Sequence, residues 1–139
     1  LLLQVRRLYD KFTHGNSDVV LLTKNGNSSL VEQFKSLLEK NISSNEENRH
    51  ARSVSFYAKH LSVHPNYLNA VVKRVTGKTA LHFIHEQIIN SAETLLLQTN
   101  LSVKEVAYQL SFNEPAHFGN FFKKYTQLTP ADFREQSHR

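Results

Sequence analysis

The sequence predicts an all-α fold, in which two helix-turn-helix subdomains are joined by a long linker helix and preceded by a further helical segment. Three observations predict it. Apolar residues recur at helical spacing along most of the chain, and apart from residues 19–23 no stretch alternates with the period of a strand. Helix-start signals stand in front of the apolar stripes: Ser with Glu three residues on, and proline in a first turn. The apolar pattern of residues 54–83 also returns in residues 103–133.

Taken in order, residues 1–13 carry Leu1, Val5, Leu8 and Phe12 on one helical face. Residues 14–27 are rich in Gly, Asn and Ser and predict a loop. Ser29-Leu30-Val31-Glu32 has the form of a capping box and predicts a helix start, with Leu30, Phe34, Leu37 and Leu38 as its stripe. Residues 41–52 are polar and predict a surface connection. Val54, Ala58 and Leu61 mark a short helix. Pro65 then fits a first helical position, where a missing N–H costs nothing, so His64 falls near the N-cap. The stripe of this next helix is Leu68, Val71, Val72 and Val75, and Gly77 suits a left-handed stop. Residues 80–98 predict the long linker helix, with Ile84, Ile88, Ala92, Leu95 and Leu96 inward. Ser102 and Glu105 form a second capping box ahead of a short helix marked by Val103, Ala107 and Leu110. Pro115 opens a helix with Phe118, Phe121, Phe122 and Tyr125 inward. Thr129-Pro130-Ala131-Asp132 opens the last one, which runs to about Gln136.

The repeat is in register. Val54, Ala58 and Leu61 match Val103, Ala107 and Leu110 at an offset of 49. Leu68, Val71, Val72 and Val75 match Phe118, Phe121, Phe122 and Tyr125 at an offset of 50, as do Lys73-Arg74 and Lys123-Lys124, Thr79 and Thr129, and Phe83 and Phe133. One extra residue in the second turn accounts for the change. A small residue on the first helix (Ala58, Ala107) permits a close crossing, and a large apolar one (Leu68, Phe118) locks the second helix down. The outer face of that second helix is then free to enter a major groove.

Composition narrows the function class. Net charge is +5, and residues 51–139 hold ten Lys and Arg against six Asp and Glu, a balance that suits a polyanionic partner. The chain has no cysteine, which excludes disulfides and cysteine-based zinc sites. The longest apolar run, residues 19–22, is far short of the roughly 20 residues a membrane-spanning helix needs. The chain opens on Leu1 and contains no methionine, so it reads as a fragment with something ahead of it.

Two segments carry a family resemblance: SVSFYAKHLSVHPNYLNAVVKRVTGKT and LSVKEVAYQLSFNEPAHFGNFFKKYTQLTPADFR. Over about Leu30 to Gln136 the chain resembles the DNA-binding domain of the AraC/XylS family of transcription regulators. The resemblance implies seven helices, with two recognition helices about one DNA turn apart on one side of the domain. It further implies a bacterial, cytoplasmic regulator, usually an activator, which binds double-stranded promoter DNA, with RNA polymerase as a further partner. An upstream sensing and dimerising domain is then expected, with residues 1–28 as its remnant or as a linker helix and residues 29–137 as the DNA-binding domain. The chain departs from the family where Ser111 and Gln127 replace glycines and Gln87 replaces an arginine. Gln127 is thereby expected to be left-handed.

Residue roles follow from exposure on the recognition helices. Expected base contacts are His64, Asn66, Asn69, Ala70 and Lys73 in the first unit and Ala116 and Asn120 in the second. Asn69 stands mid-helix, where asparagine is a poor helix former, and so asks for an external partner. Expected phosphate contacts are Arg74, Lys123 and Lys124. The outer face of the second recognition helix, with Pro115, Ala116, Gly119, Asn120 and Lys123, has few hydrogen-bonding groups, so the second unit is expected to read less sequence than the first. His117 is expected to pack inward. His82 with His85, and His60 with His64, have metal-like spacing, but Pro65 interrupts the second pair and no acidic residue completes a site. No metal, cofactor or catalytic role is therefore expected. The competing reading is a helical protein-interaction module without DNA binding.

Overall fold

The computed structural model describes residues 16–43 and 53–138, with side chains over 26–40 and 53–138. These residues form seven helices and no strand: α1 Asn16–Ser43, α2 Val54–His60, α3 Pro65–Thr76, α4 Ala80–Gln98, α5 Val103–Gln109, α6 Pro115–Thr126 and α7 Pro130–Ser137. The helical expectation for residues 1–13 lies outside the described residues.

The N-terminal part differs from the sequence reading. The loop expected over residues 14–27 is, from Asn16 on, the first half of α1, and the expected helix start at Ser29 lies inside that helix. Ser29 caps nothing there, and its hydroxyl accepts a hydrogen bond from the Gln33 side chain one turn on, at 3.2 Å. Poor helix formers such as Gly26 and Asn27 are carried by continuity with a packed helix, since Asn27 is itself buried and Val31, Phe34 and Leu38 follow it into the core. The polar connection expected from residue 41 begins later, because α1 runs on to Ser43.

From α2 onward the sequence signals hold. Ser53 caps α2 by accepting from the Phe56 N–H, and Leu61, Ser62 and Val63 turn the chain. Val63 donates back to the Ala58 carbonyl and Ser62 to that of Lys59. These bonds form a Schellman stop, with Ser62 as its left-handed residue at φ 58°. The second unit repeats it: Phe112 donates to Ala107 and Ser111 to Tyr108, with Ser111 at φ 66°. The one-residue insertion is thereby located. The first turn passes from Ser62 through Val63 to the N-cap His64, while the second passes from Ser111 through Phe112 and Asn113 to the N-cap Glu114.

A single core runs through both units. α1 packs on α3 and α4, α2 on α3, α5 on α6, and α4 continues past the first unit to meet α5 and α7. At 19 residues α4 is about 28 Å long, long enough to belong to both units. Its N-terminal half is the third helix of the first unit and its C-terminal half supports the second. Arg134 of α7 closes the far end: its Nε donates to the Leu96 carbonyl at 2.9 Å and Nη2 to that of Thr99 at 3.4 Å. These are carbonyls that the helix end leaves without partners of its own. At the α1–α2 contact the Tyr57 ring lies edge-on to Phe34 at 5.5 Å, and burial pushes the Tyr57 phenol well above its ordinary pKa.

Candidate nucleic-acid interface

Helices α3 and α6 present the candidate interface, and their faces sort cleanly. Leu68, Val71 and Val72 of α3, and Phe118 and Phe122 of α6, are buried. The exposed residues of α3 are Asn66, Tyr67, Ala70, Lys73, Arg74 and Val75, and those of α6 are Ala116, His117, Asn120, Lys123, Lys124 and Tyr125. The two sets coincide position for position at the repeat offset of 50. The duplication therefore governs which positions face outward, although the residues at those positions differ in all but Lys73 and Lys123.

Val75 and Tyr125, expected inward, are 43% and 42% exposed. Each sits in the last turn of its helix. The Tyr125 hydroxyl is nonetheless held by Nδ1 of His85 on α4, and the His85 ring lies edge-on to Phe121 at 5.1 Å. Pro115 and Gly119, expected on the outer face, are only half-buried flank positions.

Local chemistry fixes the start of α3. His64 is its N-cap: Nδ1 accepts from the Asn66 N–H at 3.1 Å. With Nδ1 as acceptor, the neutral ring carries its proton on Nε2. His64 and Asn66 remain exposed beside Ala70 and Lys73. At the other end of each recognition helix, Lys73 and Arg74, and Lys123 and Lys124, stand in the last turn, where a cation also suits the helix dipole.

Asn69 is placed differently from expectation. It is half-buried, and its Oδ1 accepts from the Ala80 N–H at 3.0 Å. A bidentate pairing with adenine uses that same oxygen as acceptor, and here the oxygen is already engaged within the protein. His117 is the second correction. It is exposed, at the position matching Tyr67, which is itself 49% exposed. Sequence reasoning missed this aromatic pair. The wheel that turns Leu68, Val71 and Val72 inward also turns residue 67 outward, and the repeat carries that placement to residue 117.

Among the described residues no group of three or more His, Asp or Glu side chains is arranged to hold a metal ion, and no helix is long and apolar enough to cross a membrane. His82 Nε2 lies 4.0 Å from Glu86.

Residues 57–136, more than half of the chain, match the family model described as a helix-turn-helix domain. The HTH-type transcriptional regulator GlxA of Rhizobium meliloti is 36% identical over 75 residues, which are 54% of this chain and 23% of that protein. The chain thus spans about a quarter of the length of that relative. A transcriptional regulator with an AraC-type DNA-binding domain from Chromobacterium violaceum superposes with a TM-score of 0.66 at 24% identity, covering 81% of this chain and 95% of that one. The DNA-binding domain of AdpA, solved with a target DNA, gives 0.64 at 19% identity, covering 76% of this chain and 90% of that one. With the repeat, the seven helices and the matched outer faces of α3 and α6 agreeing with these likenesses, the chain belongs to the AraC/XylS family of transcription regulators and carries its DNA-binding helix-turn-helix domain.

Proposed function

We propose that this domain binds double-stranded promoter DNA with α3 and α6 in successive major grooves, reading sequence chiefly through α3. The observation that carries this reading is the coincidence of exposed positions on the two helices, each set with a basic pair in the last turn. His64, Asn66, Ala70 and Lys73 are assigned to base edges in the first half-site, and Ala116 and Asn120 in the second. Tyr67 and His117 join them as groove-facing rings suited to apolar contact with a thymine methyl or, for His117, to a hydrogen bond with a base or phosphate. Arg74, Lys123 and Lys124 are assigned to phosphate, where they orient the domain without specifying sequence.

The same reading makes the chain part of a cytoplasmic activator. A sensing domain lies upstream of this domain, with the expected boundary near residue 28 now falling inside α1, RNA polymerase is a further partner, and this domain has no catalytic role. The likeness to a domain solved on its target DNA supports the DNA reading, and the family supports the rest.

The test is selection of duplexes from a random pool, followed by titration against salt. Lys124→Ala lowers the slope of log affinity against log salt by about 0.9, equally on selected and random duplexes. Asn66→Ala lowers discrimination at one base position by about 1–3 kcal/mol and leaves the slope alone. Binding that does not change over roughly 50–200 mM salt rules the reading out.

A further inference from the structure

The bond from Ala80 N–H to Asn69 Oδ1 spans 11 residues and ties the middle of α3 to the first residue of α4. Ala80 is fully buried, so water is not available to its N–H. The N–H groups of a helix's first turn have no partner within the helix, and Thr79 caps only that of His82. Asn69 supplies the acceptor that Ala80 otherwise lacks.

The second unit shows what happens when that donor is absent. Its third helix starts with the same backbone, Thr129 at φ −71° and ψ 157° against Thr79 at −72° and 159°. The residue matching Ala80 is Pro130, which is buried and has no N–H. The residue matching Asn69 is Gly119, which has no side chain. Crowding does not demand that glycine, since a Cβ built there meets nothing within 4 Å. An acceptor is therefore present in the unit that has a donor and absent from the unit that has none.

We infer that Asn69 is a positioning residue: by holding the first N–H of α4 it fixes how α3 is presented to DNA, and it acts on sequence reading without touching a base. Asn69 is adjacent to Ala70 and one turn from Asn66 and Lys73, so a tilt of α3 about this point displaces the groove-facing atoms. The inference rests on the DNA reading given above.

The test transplants the second unit's solution into the first. Duplexes are selected from a random pool by the wild-type chain, and affinities for a selected and a random duplex are then compared for wild type, Asn69→Ala, Ala80→Pro and Asn69→Ala/Ala80→Pro. Asn69→Ala leaves a buried donor unpaired and is expected to lower the selected-to-random ratio about tenfold. Ala80→Pro removes that donor, so the double variant is expected to return to within about twofold of wild type. A double variant that folds, as judged by its helical circular dichroism, but keeps the low ratio overturns the inference. So does an Asn69→Ala ratio equal to wild type with only a lower melting temperature. If Asn69→Ala does not fold, the double variant decides alone: a wild-type ratio supports the inference and a lost ratio overturns it. If the wild-type chain enriches no duplex, the DNA reading itself falls. If it does and the double variant does not recover, only the role of Asn69 falls.

Discussion

In the first unit the recognition helix begins on a side-chain cap, His64, and ends on a glycine, Gly77 at φ 83°. In the second it begins at Glu114, whose side chain caps nothing, and ends on Gln127 held at φ 69°. The second unit thus gives up a cap and holds a side chain in a left-handed conformation, a combination worth about 2 kcal/mol. It also has a different core. Where α3 buries Leu68, Val71 and Val72, α6 buries Phe118 and Phe122. Phe112 lies 5.4 Å from Phe118, and Phe133 lies 5.4 Å from Phe122. Large rings bury more area per residue and add edge and tilted contacts, which offsets the poorer helix ends. Two copies of one backbone have divided their stability between end chemistry and core volume in different proportions.

Removing core volume is the largest way to break that comparison. Phe118→Ala is expected to lower unfolding free energy by about 3–5 kcal/mol, and Leu68→Ala by about 2–5 kcal/mol with the smaller loss of the two. Urea unfolding followed by far-ultraviolet circular dichroism measures both. Equal losses, or a larger one for Leu68→Ala, contradict the claim that the second unit leans more heavily on its core.

The caps come next. His64→Ala is expected to cost about 1 kcal/mol, because the Asn66 N–H loses its acceptor. Glu114→Ser is expected to gain about as much by supplying the cap the second unit lacks. Thermal melting of the two variants beside wild type gives shifts of opposite sign. A destabilised Glu114→Ser variant means that Glu114 does something its backbone position does not reveal.

The helix stops follow, at no more than the size of the caps. Gln127→Gly is expected to stabilise by up to about 1 kcal/mol through relief of the left-handed backbone. The gain is reduced by the loss of a 3.3 Å bond from Gln127 Nε2 to the Lys124 carbonyl. Gly77→Ala, the reverse exchange in the first unit, is expected to cost about 1 kcal/mol. The same melting measurement decides both, and a stabilised Gly77→Ala variant removes the conformational argument for both stops.

The sequence was informative where one residue sets a local geometry, and less so where the partner is distant. Pro65, Pro115 and Pro130 marked the starts of α3, α6 and α7, and Ser102 with Glu105 marked the start of α5, because each signal acts within one turn. Gln127 was correctly expected to be left-handed, and the same conformation at Ser62 and Ser111 puts a non-glycine left-handed residue in the first turn of both units. The first half of α1 was hidden because Gly26 and Asn27 carry a turn-like composition that a packed helix overrides. Asn69 was read as a base contact, whereas its side-chain oxygen is bonded to the Ala80 N–H 11 residues on, at a distance that helical periodicity does not encode. His117 was misplaced by a choice of face at one position, whereas the repeat offset from Tyr67 places it outside.

The smallest expected effect concerns pH and separates the two short helices. Glu105 accepts from the Ser102 N–H at 2.8 Å while Ser102 Oγ accepts from the Glu105 N–H, and these bonds hold the carboxyl below its ordinary value of 4.5. A lowered folded-state pKa means that the charged form stabilises the fold. That contribution is complete above the ordinary carboxylate value and is lost as pH falls through the lowered one. The first unit has no counterpart. The residue matching Glu105 is Phe56, whose N–H is capped by Ser53 with nothing returned. Glu105→Gln keeps an acceptor oxygen and removes the titration. Stability measured by urea midpoint from pH 7 downward is therefore expected to fall more steeply in wild type than in Glu105→Gln once the pH passes below 4.5. Because the carboxyl is solvent-exposed, the difference is small and shrinks further with added salt. Parallel curves for the two proteins mean that the box acts through its hydrogen bonds alone and its charge contributes nothing to the second unit.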